Sequence, residues 1–78
     1  MDYHTAIERA CQHAHDEAEP EARNGNHGGK YLKHLATAEF YRLAAVEDVD
    51  IGDRSVGDIA VALMRGVRAV QDASTARR

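Results

Sequence analysis

Large aromatic side chains are scarce. Tryptophan is absent, phenylalanine occurs once and tyrosine three times, together 5% of the chain. A core with so few must rest on aliphatic and small side chains, each of which contributes less burial energy. The single cysteine, Cys11, excludes an internal disulfide and fits a reducing compartment. Positive charge is not in excess either: ten Lys and Arg stand against thirteen Asp and Glu, a net charge of −3. That balance leaves no electrostatic footprint for nucleic acid. No apolar run approaches the roughly eighteen residues a membrane span needs. The opening Met1-Asp2-Tyr3-His4 lacks the basic and apolar regions of a signal peptide. A cytoplasmic protein without membrane contact is expected. Arginine far outnumbers lysine and alanine is abundant, a bias expected of a high-GC bacterial or phage genome.

Small residues are what the chain has in quantity, and they are spaced. Ala6, Ala10, Ala14, Ala18 and Ala22 recur at every fourth position, and Ala62, Gly66, Ala69 and Ala73 form a second row. Residues four apart on a helix lie nearly above one another, so each row makes a shallow ridge that a neighbouring helix can approach closely. At 78 residues the chain is one small domain, and a domain of this size buries a modest fraction of its surface. With no disulfide to staple it, self-association is the natural remedy. The fold class expected is therefore all-α. A helical hairpin plus a third helix would make a three-helix bundle, assembling as a homodimer through small-residue helix faces.

The helices can be placed from caps and breaks. Asp2, or Thr5 with Glu8, caps a first helix over about 3–19. Its inner side carries Tyr3, Ile7, Ala10, Cys11, Ala14 and Ala18. Pro20 ends it, and residues 20–29 form a glycine-rich loop. The second helix runs over about 30–47, with Leu32, Leu35, Ala36, Leu43 and Val46 as its stripe and Tyr31 and Phe40 on the flanks. An acidic connection over 48–54 pivots at Gly52. Ser55-Val56-Gly57-Asp58 has capping-box spacing and opens a third helix over about 55–73, before a frayed tail at 74–78. Ile59, Leu63, Gly66 and Val70 form its stripe, widened by Val56, Ala62 and Val67. No strand pattern competes. Acidic residues crowd the end of the first helix and Lys30, Lys33 and His34 crowd the start of the second. An antiparallel hairpin would bring these misplaced charges together.

Sites with chemistry are few. Cys11 and His15, four apart on one face, have a two-ligand spacing for zinc, but a structural site needs four ligands. No metal and no cofactor are expected. Gly25 to Lys30 falls one residue short of a phosphate loop and follows a helix where that motif needs a strand. Glu39 lies within an otherwise apolar stripe, where burial raises a carboxyl pKa unless a cation pairs with it. Arg42, three residues on, or a histidine of the first helix is the expected partner. Replacing Glu39 with leucine should then stabilise the fold or scramble its assembly. No nucleophile, base and orienting group can be assembled, so no catalytic residues are assigned and an enzyme is not expected.

By subtraction, the function expected is non-catalytic binding of another protein, as an adaptor, inhibitor or assembly component of bacterial or phage origin. Ala10, Ala14, Ala18, Glu39, Ala62, Gly66 and Val70 are the packing or interface residues of this reading. Leucine at Gly66 should disrupt the bundle or its dimer. Val61, Met64 and Tyr41 point outward and suit a partner surface. The alternative is a small dimeric nucleic-acid-binding regulator. Ser55 to Ala60 with Leu63 has the look of the first helix of a helix-turn-helix. Against it, Met64-Arg65-Gly66-Val67 continues the apolar period where a turn should fall, and the cations are few.

Overall fold

Asp2 sets the first helix. Its carboxylate accepts a hydrogen bond from the Thr5 amide at 2.7 Å, and its carbonyl accepts from the Ala6 amide. This is the cap expected at Asp2, and the Thr5 hydrogen bond holds the Asp2 carboxyl below its usual range. The computed structural model describes residues 1–22 and 29–76. Three α-helices make up the fold: α1 (Tyr3–Ala22), α2 (Gly29–Val46) and α3 (Val56–Ala76). Among the described residues there is no strand.

α1 and α3 outrun their expected ends, while α2 stops at Val46, one residue short of its own. α1 continues through Pro20 to Ala22. Proline withholds one amide, the one that would bond the carbonyl of Asp16 four residues back. Asp16 is exposed, so water can satisfy that carbonyl, and the loss falls in a last turn that lacks full bonding anyway. α3 continues to Ala76 because Ser74 and Thr75 are weak helix formers but not breakers. The rest of the expected glycine-rich loop and phosphate-loop look-alike, residues 23–28, and the tail at 77–78 lie outside the described residues.

Between α2 and α3 the chain turns on two left-handed residues. Asp48 has φ 52° and Gly52 φ 64°; an aspartate tolerates that region better than most residues, and glycine enters it freely. Arg54 fastens the connection. Its guanidinium donates to the Ile51 carbonyl at 3.1 Å and lies 3.8 Å from the centre of the Tyr3 ring. The α3 capping box is complete: the Asp58 amide donates to Ser55 Oγ, and the Ser55 amide donates to the Asp58 carboxylate.

Contacts along the helices fix their directions. Tyr3 at the start of α1 packs edge-on against Phe40 in the second half of α2, ring centres 5.8 Å apart. The seven chain steps from Ala22 to Gly29 reach at most about 25 Å, less than the roughly 30 Å length of α1. α2 therefore runs back along α1. Arg54 lies beside Tyr3, and Leu63 and Gly66 beside Cys11, so α3 runs in the direction of α1. The result is an up-down-up bundle. Its radius of gyration is 12.4 Å, against about 11.5 Å for a closed domain of this length.

Phe40 occupies the centre rather than a flank, with no exposed surface. The buried face of α2 is Leu32, Ala36, Phe40 and Leu43, while Leu35 is only partly buried and Val46 is 66% exposed. The largest side chain draws the helix face toward itself, and Val46 sits where the chain leaves the bundle at Asp48. Val56, expected to widen the α3 stripe, is 76% exposed because it is the first helical residue beyond the cap. The core proper is closed by Ile59, Leu63 and Val67 of α3 and by Val49 of the connection.

Candidate functional site

The alanine row on α1 is spent inside its own chain. Ala6, Ala10 and Ala14 have no exposed surface and Ala18 is 2% exposed, all within the core cluster. The surface on which a homodimer through this row was expected is therefore occupied by the chain's own helices. On α3 the second row splits. Ala62, Gly66 and Val70 are partly buried, whereas Ala69 and Ala73 face outward. Gly66 meets Cys11 and Ile7 of α1. A β-carbon there would come within 2.5 Å of Cys11 Sγ and 3.5 Å of Ile7 Cγ2. Hydrogen in place of a side chain is what lets α1 and α3 approach at this point.

Cys11 is accordingly a packing residue. Its thiol points at the Leu63 carbonyl at 3.5 Å, and burial pushes its pKa up to about 11. A metal ligand must be a thiolate, which this environment disfavours. His15 lies on the same helix face, half-buried, and no group of three or more potential ligands occurs among the described residues.

Glu39 is buried on α2, at 8% exposure. Both its oxygens accept hydrogen bonds from the Arg42 guanidinium, the second at 3.1 Å, and His13 of α1 stands 3.6 Å away. Both expected partners are thus present. The Arg42 hydrogen bonds hold the Glu39 carboxyl below its ordinary range, with His13 acting in the same direction, against the opposing effect of burial. Arg42 and His13 are themselves largely open to water, at 60% and 46% exposure. The cluster is a clasp between α1 and α2. His13 also pairs with Glu17 on its own helix. Of the charge pairs expected across the loop, none from Asp16 or Glu17 to Lys30, Lys33 or His34 forms among the described residues, and the side chain of Glu19 lies outside them; Asp16 instead accepts from Gln12.

A carboxyl held below its ordinary range stabilises the fold above that range, and the contribution disappears as pH falls through the folded value. Glu39→Gln should lower the melting temperature by a few degrees near neutrality. The gap to the unaltered protein should close as pH drops below about 4. Melts followed by circular dichroism between acid and neutral pH check this; a gap of constant size would contradict it.

The sequence points to Val61 and Met64 as outward-facing, but not to the cationic groove in which they lie. Between the start of α2 and the outer side of α3 lies an open groove of about 770 Å³. Its apolar part is Val61, Met64 and Val67; α2 contributes Lys30 and Lys33, and α3 contributes Arg65, Arg68 and Gln71. Val61 is 48% and Met64 53% exposed, while Val67 reaches down into the core. None of the four cations makes an ion pair among the described residues. Among the described residues the groove offers no carboxylate, hydroxyl, thiol or imidazole, so they can hold anionic and apolar groups. The signal was in the sequence in two halves. Lys30 and Lys33, and Arg65 and Arg68, are each three apart and so share a helix face; only the up-down-up topology brings the two faces together.

Comparison of the chain with protein-family models, with curated proteins and with solved structures gives no match.

Proposed function

We propose that this protein is a non-catalytic helical module that binds another protein, acting as an adaptor, inhibitor or assembly component, and that the α2–α3 groove is its contact surface. The observation carrying this reading is the pair Val61 and Met64, about half exposed at the middle of α3 and bordered by cations of α2 and α3. Fold stability does not require apolar groups there. The inner face of α3 already supplies Ile59, Leu63 and Val67 to the core. Exposed apolar surface rimmed by polar groups marks a protein contact more often than chance. Self-association belongs to the same proposal.

The test is site-specific photocrosslinking in a lysate of the source organism. A photoreactive residue at Met64 should yield a discrete adduct with one protein identifiable by mass. The same group at Arg9, exposed on α1, should not, and Val61→Glu should remove the adduct without changing the helical circular dichroism signal. Equal labelling from both positions would defeat the proposal.

A further inference from the structure

The groove's charge is out of keeping with the rest of the molecule. It gathers both lysines of the chain and two of its eight arginines, and no acidic residue among the described residues, on a protein of net charge −3. Like charges gathered in one groove repel, and in the free protein nothing among the described residues neutralises them. An anionic partner removes that repulsion. The middle of the groove is aliphatic, however, so a bare anion would leave Val61 and Met64 against water.

Resting on the protein-binding reading above, we propose that the groove takes an acidic amphipathic helix of a partner protein. The partner's apolar stripe would lie on Val61 and Met64, with Asp and Glu on its flanks reaching Lys30 and Lys33 of α2 and Arg65 and Arg68 of α3. Helix is favoured over extended chain by the floor itself. Aliphatic side chains offer no hydrogen bonds to a peptide backbone, and the bundle has no sheet edge to pair with, so the ligand must satisfy its own backbone. The eleven residues from Val61 to Gln71 span roughly 15 Å, the length of about three helical turns. Duplex nucleic acid fits less well, because four cations neutralise few phosphates and the floor carries no aromatic ring on which a base could stack. A second copy's acidic connection fits less well too: Val49 is buried in its own core and Ile51 packs against it, which leaves no free apolar stripe.

The probe is a synthetic helical peptide of about 14 residues with leucines spaced three and four apart and glutamates flanking them. Binding to the full chain is followed by fluorescence anisotropy near physiological salt. The peptide should bind, weaken as salt is raised, and lose about tenfold or more in affinity with Lys33→Glu or Arg68→Glu, while Arg9→Glu leaves it unchanged. Circular dichroism of each variant establishes that the bundle is intact. Three results overturn the proposal: a version with lysine in place of glutamate that binds as well, a duplex DNA oligomer that binds more tightly than the acidic peptide, or no binding at all. Self-association of the protein alone that is lost with the same charge reversals also overturns it, by naming a second copy as the occupant. Should the peptide fail while Met64 still crosslinks to one protein, the acidic chemistry is wrong and the protein-binding reading stands; should both fail, both fall.

Discussion

Phe40→Ala removes a large share of the stability of this protein. The side chain has no exposed surface, and it joins Tyr3 and Tyr41 through edge-on ring contacts at 5.8 and 5.5 Å. Truncating a fully buried phenylalanine costs about 3–5 kcal/mol, the lost transfer energy plus the cavity left behind. A chain of this length has on the order of 4–12 kcal/mol in total, at about 0.05–0.15 per residue. Alanine is the common neighbour in this core, and a methyl group cannot swing over to fill a benzyl-sized hole. The expected fall in melting temperature is on the order of 20 °C, read by circular dichroism. Tyr41→Ala, half-exposed on the outer side of the same ring, should cost far less. Similar losses for both would mean that the core is centred elsewhere.

Gly66→Ala should change sign with its surroundings. In an open helix interior the substitution is worth about 1 kcal/mol in favour of alanine. Here the new methyl would stand 2.5 Å from Cys11 Sγ, and Cys11 is 1% exposed with its thiol directed at the Leu63 carbonyl. Overpacking of that kind costs about 1–3 kcal/mol, so the net effect is destabilising. Cys11→Ala removes the sulfur. The contacts that remain, to the Cys11 Cβ and Ile7 Cγ2, are ordinary at 3.5 Å. In that background Gly66→Ala should stabilise, by up to about 1 kcal/mol. Chemical denaturation of the four proteins of this cycle gives the coupling, expected at about 1–3 kcal/mol. An equal effect of Gly66→Ala in both backgrounds would contradict the close α1–α3 approach.

How far the sequence was legible differs from one residue to the next. Caps at Asp2 and Ser55 are local chemistry, decided within four residues, and could be read directly. Glu39 and its two partners were legible because one lies three residues away and the others were histidines on the facing helix. Phe40 was set on a flank because periodicity weighs positions equally, whereas packing gives most weight to the largest side chain. Gly66 was recognised as a point of close approach, but what it meets, Cys11 and Ile7, was not. Which ridge of α1 meets α3 depends on the crossing of the helices, and no single-helix pattern holds that information. The cationic groove was illegible for the same reason. Its two halves lie some thirty residues apart, and each alone reads as a solvated helix face.

The account stands or falls on where a ligand touches the bundle. Chemical-shift mapping of the isotope-labelled protein, titrated with the acidic amphipathic peptide, reads this residue by residue. The predicted result is a set of shifts confined to the start of α2, at Lys30 and Lys33, and to α3 between Val61 and Gln71. Shifts concentrated instead at Ile7, Gln12 and Val70, along the crevice between α1 and α3, or scattered evenly over all three helices, would contradict it.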